Sequence, residues 1–152
     1  ILLYTSRFFI KEPKSEGIAA WHQDSTYFGL RPFDHVTAWV ALCNANEETG
    51  AVEFAVGSHI RGQLLQKSGL IKNSVNTAGQ IIVEWFDRSQ IDRAILKPGQ
   101  FSLHHTCVVH QSGPNRSDER RVGLALSYIP TRTRYTGKRR MPASLVRGRD
   151  EF

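Results

Sequence analysis

No stretch of this chain is apolar for long enough to cross a bilayer, which excludes a transmembrane helix. Cysteine is scarce: only Cys43 and Cys107 occur, each inside an apolar run. That excludes a disulfide framework and fits a reducing compartment, with the cytoplasm as the expected location. There is no internal repeat, no low-complexity tract, and no segment periodic enough to predict a long helix. A signal peptide is also missing, but the first residue is Ile1 rather than methionine. The sequence therefore reads as a fragment, and its targeting stays open.

What remains fits one soluble globular domain over residues 1–152, with 40% hydrophobic and 22% charged residues. The formal net charge is +6. Much of the excess sits in Arg132, Arg134, Lys138, Arg139, Arg140, Arg147 and Arg149. A nucleic-acid binder would use such a run, but the basic-aromatic interleaving that stacks single-stranded bases is missing. Residues 131–152 read as a solvated basic tail, with neither nucleic acid nor membrane as a partner.

Short β-branched and aromatic runs alternate with Gly, Pro and Asn turns. Strands are predicted at 4–10, 18–24, 36–43, 51–55, 80–85, 91–96, 101–110 and 121–129, with loops over 25–35 and 62–79. About eight short strands predict an all-β sandwich, barrel or jelly roll.

The chemistry starts at Trp21-His22-Gln23-Asp24. On a strand, residues two apart share a face, so imidazole and carboxylate would point the same way. With a second histidine they would complete a two-histidine, one-carboxylate set, which suits Fe(II) and leaves coordination positions open. The segment Phe101–His110 offers His104, His105 and His110. On one continuous strand His104 and His110 would share a face, with His105 on the other. His110, taken as the strand's end before a turn, has a modest advantage as the ligand; His104 and His105 also read as hydrogen-bonded wall residues. Arg121 opens the last apolar strand. It either pairs with Asp118 or Glu119 at the surface or turns inward, where a buried guanidinium needs an anion such as a ligand carboxylate.

Several motifs in this order resemble the phytanoyl-CoA dioxygenase family of Fe(II)/2-oxoglutarate-dependent oxygenases. They are Phe8-Phe9-Ile10-Lys11-Glu12-Pro13, Trp21-His22-Gln23-Asp24 with Tyr27, Val36-Thr37-Ala38-Trp39, and Glu48-Thr49-Gly50-Ala51-Val52. Gly57-Ser58-His59, Lys97-Pro98-Gly99-Gln100, and His110-Gln111-Ser112-Gly113-Pro114-Asn115-Arg116-Ser117 with Arg121 complete the set.

The resemblance implies a double-stranded β-helix (a jelly roll) with Fe(II) on His22, Asp24 and His110. Arg121 matches the arginine that pairs with the distal carboxylate of 2-oxoglutarate. Trp39 and Ser112 match positions lining the cosubstrate pocket, and Gln23 is expected beside them. Lys11 and Tyr27 match less closely, as supporting residues. The implied reaction uses 2-oxoglutarate and O2 to hydroxylate a small molecule, releasing succinate and CO2. Asp24 favours hydroxylation over halogenation, because related halogenases carry a small residue there. Two departures stand out. Val56 replaces a proline usual before Gly57-Ser58-His59, and the helices that family members usually carry N-terminal to this region are missing. Two other readings are a jelly-roll metalloenzyme without 2-oxoglutarate, in which Arg121 would be dispensable, and a non-enzymatic jelly-roll binding module, which would hold no transition metal.

Overall fold

A computed structural model describes residues 1–76, 79–137 and 141–152; Lys138, Arg139 and Arg140 of the basic run lie outside the described residues. In chain order the elements are β1 (Leu2–Lys11), β2 (Ala19–His22), α1 (Asp24–Phe28), β3 (Leu30–Arg31), β4 (Val36–Ala41) and β5 (Val52–Ala55). After a 3-10 turn at Ser58–Arg61 come β6 (Gln66–Lys67), β7 (Ile81–Ile82), β8 (Ile91–Arg93), β9 (Phe101–His105) and β10 (His110–Ser112). The chain continues with β11 (Arg121–Ile129), β12 (Arg134–Tyr135) and β13 (Ser144–Leu145).

Two sheets carry the fold: a five-stranded one ordered β13-β1-β11-β4-β9 and a four-stranded one ordered β2-β10-β5-β8. All their described pairings are antiparallel. The expected jelly roll is what forms. Strand alternation dictates the wall of the space between the sheets. On β11 the inner residues are Arg121, Gly123, Ala125 and Ser127, paired with Lys11, Phe9, Arg7 and Thr5 of β1. On its other side β11 sets Ala125 opposite Trp39 and Ser127 opposite Thr37 of β4. The core on this side gathers Trp39, Ala41, Ala45, Val52 and Ala94. A second cluster, Ala55, Leu64, Ile82, Phe86 and Val109, packs under the four-stranded sheet.

Three expectations need correcting. The predicted strand 18–24 ends at His22, and Asp24 opens a helix instead. The segment 101–110 is two strands in different sheets, because a jelly-roll chain must cross from one sheet to the other. The crossing turn is closed by the Cys107 N–H on His105 Nδ1 (3.1 Å) and the Val108 N–H on the His105 carbonyl (2.9 Å). Thr106, Cys107, Val108 and Val109 are all buried, so the turn reads as strand in the sequence. Third, 80–85 keeps only two strand residues, and 25–35 and 62–79 contain short paired strands. The described part of 131–152 makes two short strand pairings with the domain: Arg134 pairs with Arg31, and Ser144 with Leu3. Its side chains are mostly exposed, and Arg132 pairs with Asp34. No described helix is long and apolar enough to cross a membrane.

Candidate active site

The metal motif is built where β2 gives way to α1. His22 ends the strand, Gln23 keeps extended dihedrals (φ −122°, ψ 139°), and Asp24 begins the helix. The strand parity expected for the pair is replaced by a strand-to-helix corner, yet both side chains still reach the same point: His22 Nε2 lies 3.7 Å from Asp24 Oδ1. From the neighbouring strand β10, His110 stands in register with His22, and its Nε2 lies 3.8 Å from the same oxygen. His110 therefore opens its strand rather than ending one. One ligand atom from each of His22, Asp24 and His110 fits within 4.8 Å of the others.

Hydrogen bonding leaves the two imidazoles able to serve as metal ligands. His22 Nδ1 donates to the Ala20 carbonyl at 2.7 Å, and His110 Nδ1 donates to the Val108 carbonyl at 3.0 Å. A neutral imidazole has one N–H, so each Nε2 lone pair faces the centre. Burial, and next the proximity of His22, push His110 down to about 3, so it is neutral at physiological pH. For Asp24 burial works against ionisation. His110, His104 and His22 outweigh it and hold the carboxyl well below the usual carboxylate range. Two nitrogen donors and a carboxylate at one corner form the donor set that suits Fe(II).

The opposite end of the cavity is cationic. Arg121 and Lys11 are cross-strand partners, each only 2% exposed. Lys11 Nζ donates to the Ser112 hydroxyl at 2.8 Å, to the Ser112 carbonyl at 3.3 Å and to the Gly113 carbonyl. The Arg121 guanidinium stacks over Trp39 at 5.2 Å, and its Nε is buried without a hydrogen-bond partner. Neither Asp118 nor Glu119 pairs with it: Asp118 meets Lys14, and Glu12 takes Arg120. Trp39, Ser112 and Arg121 line one cavity together with His22, Asp24 and His110.

A sequence profile of phytanoyl-CoA dioxygenase (PhyH) matches residues 2–123, the span that contains all of these side chains. The chain belongs to the phytanoyl-CoA dioxygenase family. Among curated family relatives, a phytanoyl-CoA dioxygenase domain-containing protein 1 homolog of Caenorhabditis briggsae is 30% identical over 122 residues, 76% of this chain and 42% of that protein. A probable alpha-ketoglutarate-dependent hypophosphite dioxygenase of Stutzerimonas stutzeri is 29% identical over 138 residues, 84% of this chain and 45% of that protein. The chain thus spans less than half the length of these relatives. Among solved structures, the non-heme monooxygenase ThoJ in apo form superposes with a TM-score of 0.85 at 33% identity, covering 98% of this chain and 54% of that one. Its nickel complex gives 0.77 at 31%, covering 98% and 52%.

Within this phytanoyl-CoA dioxygenase fold, one expected site residue turns elsewhere. Gln23, expected in the cosubstrate pocket, is fully buried facing away from it. Its Nε2 donates to the carbonyls of Gly62 (2.9 Å) and Cys107 (2.6 Å), and its Oε1 accepts the Leu64 N–H (2.8 Å). Gln23 ties the metal corner to the loop at 62–64 and to the β9–β10 crossing. A polar residue between two ligands signals nothing about which way it points, so the sequence does not reveal this role. His105 faces out of the site, as expected, and its ring packs 5.8 Å from His59. Val56, in place of the family's proline, is exposed and donates its N–H to Gln90, so the turn closes without proline.

Proposed function

We propose that this chain carries the catalytic centre of an Fe(II)/2-oxoglutarate-dependent dioxygenase that hydroxylates a small molecule with release of succinate and CO2. One observation carries the reading: a two-histidine, one-carboxylate corner shares a single cavity with Arg121, a buried cation that no carboxylate pairs with among the described residues. Iron bound there, with 2-oxoglutarate and O2, supplies the oxidising power. The protein's residues do the rest. His22 Nε2, His110 Nε2 and Asp24 Oδ1 would hold the ion. Arg121, with Lys11 beside it, receives the distal carboxylate, where a two-pronged guanidinium fits best. Ser112 keeps Lys11 in place by accepting its ammonium. Trp39 and Ala125 form an apolar wall that excludes water. Asp24 supports hydroxylation rather than halogenation, because a carboxylate bound to the ion would take the place a halide needs. The mouth, with Arg7, Tyr27, Phe28 and Asn76 among its residues, meets the substrate.

Anaerobic reconstitution with Fe(II) and 2-oxoglutarate, followed by O2 and a panel of small-molecule substrates, tests the reading. Succinate should form in step with hydroxylated product. A protein that binds Fe(II) yet neither binds nor consumes 2-oxoglutarate would instead be a cosubstrate-independent metalloenzyme.

A further inference from the structure

A buried polar row crosses the five-stranded sheet at the level of Asp24. Ser127 of β11, Thr37 of β4 and His104 of β9 are register partners in sequence across adjacent strands. All three are buried, at 2%, 3% and 8% exposure. Buried polar groups are costly unless something satisfies them. The row converges on one atom. Thr37 Oγ1 donates to Asp24 Oδ2 at 3.4 Å and lies 3.1 Å from Ser127 Oγ, and His104 Nε2 faces the same Oδ2 at 3.7 Å. Asp24 thus divides its oxygens: Oδ1 toward His22 and His110, Oδ2 toward Thr37 and His104.

The ring nitrogens separate His104 from the other two histidines. In His22 and His110, Nδ1 is committed to a backbone carbonyl, leaving Nε2 as the acceptor nitrogen; the Asn76 amide lies 3.3 Å from that of His22. His104 Nδ1 is buried with no hydrogen-bond partner. In the neutral ring the single N–H is therefore best placed at Nε2, which faces Oδ2 at 3.7 Å, and a protonated Nε2 cannot ligate. Its ring is held between Phe54 at 5.1 Å and His110 at 4.9 Å. We propose that His104 is a positioning residue: by holding the outer oxygen of Asp24, it fixes that carboxylate as a one-oxygen ligand. The inference rests on the metal-centre reading above, and groups of this kind orient and tune the ligands they touch.

Co(II) titration of the purified chain, followed by visible absorption, tests the role with a readout independent of turnover. Wild type should bind Co(II). His104→Phe keeps a ring but loses the donor; it should weaken binding about 10- to 100-fold and alter the Co(II) spectrum. His104→Gln restores a donor and should stay within about threefold of wild type. His104→Phe with unchanged affinity and spectrum would overturn the proposal, as would His104→Gln losing as much as His104→Phe. Thermal melts of the metal-free proteins report whether each variant folds. If His104→Phe does not fold, Thr37→Val decides on the same oxygen, and unchanged Co(II) affinity there would count against the row. A wild type that fails to bind Co(II) would remove the metal centre itself. Normal wild-type binding with unmoved variants would remove only the role of His104.

Discussion

Lys11 and Arg121 face each other across β1 and β11, both buried, and no carboxylate pairs with either among the described residues. Two like charges inside a protein are costly. Burial, and then the charge of Arg121, push Lys11 down to about 7, and burial pushes Arg121 down to about 10. An anion entering between them relieves both penalties, which suits a dicarboxylate whose other end reaches the metal corner.

Arg121→Ala should weaken 2-oxoglutarate binding by about 100-fold, since truncating one partner of a buried charge pair costs roughly 3 kcal/mol. Arg121→Lys should fall in between, because an ammonium cannot make the two-pronged contact. Calorimetry on anaerobic, Co(II)-loaded protein measures both. An unchanged affinity in Arg121→Ala would favour the cosubstrate-independent alternative.

Lys11 gives 2-oxoglutarate binding a pH dependence. The charged ammonium attracts the anion, so a bound dicarboxylate raises its proton affinity. Binding is therefore strongest below about 7, where Lys11 is protonated in the free protein, and weakens as pH rises above it. The limit for one group is about tenfold per pH unit. Titrations at stepped pH should show this decline, and Lys11→Met should flatten it while lowering affinity at acidic pH.

Gly123 makes room for Trp39 in the cavity wall. A Cβ there would overlap the indole of Trp39. Gly123→Ala should displace Trp39 from its place beneath Arg121, destabilise the fold by about 1–3 kcal/mol, and weaken 2-oxoglutarate binding more than Co(II) binding. Denaturant melts and the two titrations check this together.

His35 should make stability depend on mildly acidic pH. It is fully buried, neither ring nitrogen has a hydrogen-bond partner, and burial pushes it from 6.5 to about 4. Between those values the unfolded chain holds the extra proton, so stability is full above 6.5 and declines as pH falls toward 4. The slope for one group is at most about 1.4 kcal/mol per pH unit. Urea melts between pH 7 and 4 should show the decline, with a shallower slope in His35→Phe.

Much of this was legible in the sequence, for identifiable reasons. The run Arg121–Ile129 alternates as a wall strand must, and the structure returns those bounds. His22, Asp24 and His110 were legible as candidate ligands because imidazole and carboxylate are chemically distinctive, and the structure brings them together. The backbone that delivers them was not. Strand parity brings His104 and His110 to one face of a single strand; instead a buried turn sends them to different sheets, where they still meet Asp24 from two sides. The turn is invisible in the sequence because its residues are as apolar or β-branched as a strand's. The roles of Lys11, Thr37 and Gly123 depend on cross-strand register, which pairs residues about 80 to 110 positions apart in the chain.

Asp24→Ala tests the central claim most directly, with O2-dependent succinate formation from 2-oxoglutarate as the measurement on the Fe(II)-reconstituted protein. Wild type should convert 2-oxoglutarate to succinate, and Asp24→Ala should lose both hydroxylated product and tight metal binding. Full hydroxylase activity retained in Asp24→Ala would contradict the account.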